Sequence, residues 1–312
     1  MQGLQFLNQL LTAGVSDGSG AVAVYAPLQQ QIALAATLAV HPQFTTRAKS
    51  EEDLQVAIEA LKFLHNVNAV IGPIQADFFS SFTFESFNAK RRKRGATASP
   101  SVDSDEDAAG IRSAFAYDKS LFSQVEDIWQ VVGWTFNCSV RWDGRWQAWK
   151  PWLEFLLDIL EDDWDERDEL ARRTGSDQHY QSSLIVRYLK NAGARTERRR
   201  IMRAVLADGS EKSLQAFPEV FENETKERRV PAETEHKELN LEDDQWGDYD
   251  MDEEEDEVFE DSHSGPANQP RNASANSPDN LGGSESIQLR QRLLTLVCSL
   301  LCTVKYTNTN VT

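Results

Sequence analysis

Residues 121–164 read LFSQVEDIWQVVGWTFNCSVRWDGRWQAWKPWLEFLLDILEDDW. Leu121, Val125, Ile128, Val132 and Phe136 recur every three or four positions, the period that lines up one face of an α-helix. After Pro151, which suits a first helical position because its missing N–H costs nothing there, Trp152, Phe155, Leu156, Ile159 and Leu160 form a second stripe that Trp164 extends. Seven of the eight tryptophans fall between Trp129 and Trp164, so this stretch holds the densest apolar surface in the chain. Two uses fit it. The tryptophans pack the core of a helical hairpin, or Trp142, Trp146 and Trp149 line a groove open to a partner.

Helical signals continue outward in both directions. Toward the N-terminus, Leu4, Leu7 and Leu11 repeat at helical spacing, and Ile32 to Val40 is apolar nearly all round. Ser50 followed by Glu51, Glu52 and Asp53 reads as a cap with negative charge where the helix dipole favours it. From there Leu54, Ile58, Leu61 and Leu64 make a stripe that Gly72-Pro73 ends. Toward the C-terminus, short helices are expected around 183–191 and 196–206. A last one is expected from Ser284 to about Lys305, with Leu289, Leu293, Leu296, Leu300 and Val304 on one face, as if it opened a further repeat.

Two stretches break the pattern. Between Asn88 and Gly110, five consecutive cations, Lys90, Arg91, Arg92, Lys93 and Arg94, precede small polar residues with no face to bury. From Glu242 to Asp261 there are 13 acidic residues and no Lys or Arg, which accounts for most of the net charge of -18. The expected organisation is therefore an all-α array of irregular helical hairpins, HEAT- or armadillo-like by analogy of pattern, with long disordered insertions. Its parts are a helical block at 1–87, a basic and acidic linker at 88–117, a Trp-rich helical block at 118–207, a disordered region at 208–283 containing the acidic tract 242–261, and a C-terminal helix and tail at 284–312.

The chemistry of catalysis is not written in the residues. No glycine pattern cradles a phosphate, and the five histidines, His41, His65, His179, His236 and His263, stand apart from any nucleophile. Cys138, Cys298 and Cys302 form neither a disulfide framework nor a zinc set. Asp158, Glu161, Asp162, Asp163 and Asp165 fall opposite the apolar stripe, as a solvated helix face would. No catalytic residue, metal or cofactor is expected. The N-terminus lacks the basic and apolar parts of a secretory signal, so the sequons at Asn137, Asn223, Asn272 and Asn310 carry no weight. The longest apolar run, Leu293 to Val304, is too short for a membrane span.

Lys90 to Arg94 suits the acidic groove of a nuclear import receptor or the phosphates of nucleic acid, or else is a merely solvated loop. Ser99-Pro100 and Ser104, the latter followed by three carboxylates, suit a proline-directed and an acidophilic kinase. A second cationic group, Arg187, Lys190, Arg195, Arg198, Arg199, Arg200 and Arg203, reads as a face for phosphate or as carboxylate-paired helix surface. Trp246, Tyr249 and Phe259 give the acidic tract apolar anchors that a purely solubilising tail lacks, and it reads as a segment for histones, as a docking segment for another subunit, or as a solvating linker. These features point to a nuclear, non-enzymatic scaffold or adaptor subunit of a chromatin-associated complex, with other protein subunits as partners. An acidic-tract histone chaperone or nucleic-acid-associated regulator is the alternative.

Overall fold

The structure, a computed structural model, describes residues 1–13, 25–84, 111, 113–190, 196–226 and 281–309. Among these residues there are helices and no strands. The helices are α1 (Gln2–Ala13), α2 (Gln29–Val40), α3 (Glu51–Ile71), α4 (Phe78–Ser81), α5 (Leu121–Gln124), α6 (Ile128–Arg141), α7 (Asp143–Thr174), α8 (Gln178–Gln181), α9 (Leu184–Lys190), α10 (Thr196–Val205), α11 (Glu211–Ala216) and α12 (Gly283–Thr309). None of them, within the described residues, is long and apolar enough to cross a membrane.

The centre is α6. Every residue from Ile128 to Val140 is buried, because α7, α10, α11 and α12 all pack against it. A single stripe would have left one face in water, and the helix instead carries polar residues whose groups are satisfied inside. Thr135 donates to the Val131 carbonyl at 2.8 Å, and Ser139 donates to that of Phe136 at 2.7 Å. Gly133 is needed for closeness rather than for flexibility: a Cβ there would lie 2.3 Å from the Phe217 ring. The expected continuous helix from Leu121 is broken, since Asp127 accepts the Gln130 N–H at 2.8 Å and starts α6 afresh.

Three further expectations are corrected. The helix expected to begin at Pro151 runs through it from Asp143, for 32 residues, with Pro151 inside. Buried Arg145, Trp146 and Trp149 before the proline, and Trp152 and Leu153 after it, pin both sides of the lost hydrogen bond. On α3 the cap is as expected, with the Ser50 hydroxyl accepting the Asp53 N–H at 3.2 Å, but the buried face is Ala57, Ala60, Phe63, Leu64 and Val67. Leu54 and Ile58 are 44% and 57% exposed. Small residues decide it: Ala35, Ala36 and Ala39 of α2 are buried too, so α2 and α3 meet through two alanine-rich faces. Finally, the chain does not lose order at 208. Residues 208–226 form α11 and then bury Phe217, Val220, Phe221 and Glu224.

The second apolar stripe is where it was expected. Trp152, Phe155, Leu156 and Ile159 are all buried, and so are Leu289, Leu293, Leu296 and Leu300 of α12. Asp163 departs from the solvated-face reading. It is buried, accepting the Leu184 N–H at 2.7 Å and Arg167 Nε at 2.8 Å, and so caps α9 from below. Burial pushes its carboxyl up, and those two donors oppose the shift. Asp158 and Glu161 together grip Arg292, tying α12 to α7.

Candidate functional site

Two constellations of polar residues emerge from this packing, one buried and one on the surface. The buried one joins three segments far apart in sequence. Arg145 on α7 and Glu224 near the end of the 208–226 segment form an ion pair in which both side chains are fully buried. Arg145 also donates to the Thr45 hydroxyl at 2.8 Å and to the Val40 carbonyl at 2.9 Å, at the end of α2. Glu224 accepts the Val220 N–H at 3.0 Å and the Trp149 indole N–H at 3.3 Å. Burial pushes its carboxyl upward, opposed by Arg145 and those N–H donors.

His41 closes this clamp, edge-on to Phe115 at 4.9 Å and to Phe221 at 4.7 Å. Burial first, then the charges of Arg145 and Lys119, lower its pKa to about 4. It is therefore neutral at physiological pH, as its Nδ1 must be to accept the Gln43 N–H at 3.2 Å. Burial also pushes the neighbouring Cys138 thiol up, which keeps it protonated and inert. The Arg145 and Glu224 contacts hold the three segments together.

This clamp settles the two readings of the tryptophans. Trp146 and Trp149 lie in the core, and of the three proposed groove residues only Trp142 is partly exposed, with its ring 5.3 Å from that of Trp134. The open partner groove at Trp142, Trp146 and Trp149 is thus corrected to a packed core, because the indole of Trp149 is what covers and bonds Glu224.

The surface constellation lies on α10 and α11. Ile201, Ala204 and Val205 bury the inner face of α10 against α6. The outer face then carries Arg199, Met202, Arg203 and Leu206 at helical spacing i, i+3, i+4 and i+7, all exposed, Met202 at 43% and Leu206 at 51%. Two adjoining clefts of about 670 and about 470 Å³ flank this face and share Arg203, Gln215, Ala216 and Phe217. Arg200 is held inside, paired with Asp127 at 2.9 Å and lying over the Phe217 ring. Among the described residues no carboxylate pairs with Arg199, Arg203 or Lys212. The clefts are anchored from beneath. Asn137 on α6 accepts the Gly209 N–H at 2.9 Å and the Ser213 hydroxyl at 2.7 Å, and Arg290 of α12 donates to the Ala207 carbonyl at 2.8 Å.

Of the second cationic group, then, Arg199, Arg200 and Arg203 come together, while Arg187 lies elsewhere over the Phe79 ring at 4.2 Å. Lys90 to Arg94, Ser99, Ser104 and the acidic tract 242–261 lie outside the described residues. Arg145, Glu224 and Arg290 had gone unread. Asn137, noticed only as a sequon, is a buried hub. The apolar half of the cleft was legible in principle from the spacing of Met202 and Leu206 among the arginines. Among the described residues no three His, Cys, Asp or Glu side chains converge as a metal would need. No known family, curated protein or solved structure matches the chain.

Proposed function

We infer that this chain is a non-enzymatic helical scaffold or adaptor subunit of a nuclear, chromatin-associated complex. The observation that carries the reading is the outer face of α10, where exposed Met202 and Leu206 alternate with Arg199 and Arg203, unpaired among the described residues, beside two open clefts. Leu54 and Ile58 on α3 are exposed at the same spacing, but of the two pairs only Met202 and Leu206 stand among arginines and beside clefts. A docking surface for an acidic segment with apolar anchors uses both features, since the apolar pair supplies the contact area and the cations supply selectivity. The base beneath, with buried Asn137 and Arg290 bonded to Gly209, Ser213 and Ala207, supports that surface.

The compartment rests on Lys90 to Arg94. Replacing the five by alanine is expected to move a fluorescent fusion of the full chain from nucleus to cytoplasm. A fusion that stays nuclear contradicts the localisation.

The scaffold role is tested by affinity purification of the tagged full chain from nuclear extract, with quantification by mass spectrometry. A small set of proteins at fixed stoichiometry is expected. A chain recovered alone, as a monomer, contradicts it. The second reading, a histone chaperone, is favoured by the 13 carboxylates of 242–261 with their aromatic residues. It requires binding to purified core histones that weakens steeply with salt.

A further inference from the structure

The surface of α10 and α11 is amphipathic, with Arg199, Arg200, Arg203 and Lys212 outnumbering Glu126 and Asp208, the two carboxylates that line its clefts, and the same chain contains a segment of complementary chemistry. The tract 242–261 has 13 acidic residues, no Lys or Arg, and the aromatic side chains Trp246, Tyr249 and Phe259. Trp246 stands among three carboxylates on one side and Asp248 on the other, which matches apolar positions spaced between cations on α10. We propose that the acidic tract of this chain docks on its own α10–α11 cleft, its aromatic residues against Met202 and Leu206 and its carboxylates toward Arg199, Arg203 and Lys212. This rests on the docking role proposed for the cleft and names its resident occupant.

Chain length permits it from both ends. Pro218 lines the larger cleft, and Lys226 is eight positions further on, hence no more than about 30 Å away. Glu242 follows Lys226 by sixteen positions, which can span up to about 55 Å. On the return side, Leu281 precedes Gly282, whose backbone is pressed against Ser139 on α6, so close that a Cβ would sit 2.1 Å from the Ser139 hydroxyl. Asn137, on the same helix as Ser139, holds Gly209 and Ser213 at the base of the cleft. The tract is therefore within chain reach of the docking surface from both ends. A tether of this kind supplies an effective concentration on the order of millimolar, so contacts too weak to hold a free peptide suffice.

The test uses the purified full chain and a carbodiimide, which joins a lysine amine to a carboxylate in contact with it. Mass spectrometry of the monomer band is expected to join Lys212 to carboxylates within 242–261. The link is expected to fall roughly tenfold in Arg199→Glu/Arg203→Glu, where attraction becomes repulsion, and in 1 M salt, where screening acts over about 3 Å. It is also expected to fall in Met202→Ser/Leu206→Ser, whose changes are confined to exposed positions and leave the fold intact. Three results overturn the proposal: tract carboxylates joined to Lys90 or Lys93 in place of Lys212, a Lys212 link found only in the dimer band, or a link unaffected by both double variants. Any of these leaves partner docking at the cleft standing, because partner retention is measured separately.

Discussion

Replacing Glu224 by leucine is expected to destabilise the protein by about 3–5 kcal/mol, the cost of stranding a buried charge. Arg145 is fully buried and has no route to water in the folded state, so removing its carboxylate partner leaves a guanidinium supported only by the Thr45 and Thr46 hydroxyls and the Val40 carbonyl. The Val220 N–H and the Trp149 indole N–H lose their acceptor as well. Arg145→Met should cost a similar amount, through an uncompensated Glu224. The double variant Arg145→Met/Glu224→Leu should recover most of the loss, because a buried ion pair often stabilises no more than apolar residues of similar volume. Urea denaturation of the four proteins measures this. Additive losses in the double variant would mean that the two side chains do not act as a pair.

Phe155→Ala should cost about 3–5 kcal/mol, as large-to-small changes of buried aromatic residues do. Phe155 is fully buried, 5.1 Å edge-on from the His65 ring of α3 and 5.8 Å from the Phe78 ring of α4. Its loss therefore opens a cavity where α7 meets the N-terminal helices, and two rigid helices on either side cannot collapse into it. A variant that melts with the wild type in thermal denaturation would show that the stripe of α7 is not the core of the molecule.

The parts of the fold that could be read beforehand are those set by local chemistry. Ser50 and the three acids after it mark the start of α3, and Gly72 marks its end in a backbone conformation at φ +84° that other residues rarely adopt. The α7 and α12 stripes are legible because each helix has one wet side, so that periodicity survives. In α6 the signal fails, since a helix enclosed on all sides has no polar face to set the phase. On α3 it points to the wrong face because the larger residues, Leu54 and Ile58, lose to the closer approach that Ala57 and Ala60 allow.

The site divides the same way. Arg145 and Glu224 are 79 positions apart, and nothing near either residue announces the other. Residues 208–226 looked featureless because α11 has six residues and no buried side chains of its own, and the segment is held mainly through Asn137, Phe217 and Glu224. The arginines of α10 were visible as a charged group. Their meaning depends on which of them tertiary packing consumes, and among Arg199, Arg200 and Arg203 that is Arg200.

The most direct measurement of the docking role compares wild type with Arg199→Glu/Arg203→Glu in two readouts, thermal unfolding of the purified chains and co-purifying subunits from the same nuclear extract. Both arginines are exposed and unpaired among the described residues, so melting should coincide, with a difference within about 0.5 kcal/mol. The subunits recovered with wild type should be lost from the variant. A variant that melts like wild type and retains every subunit would contradict a scaffold that docks its partners on the α10–α11 cleft.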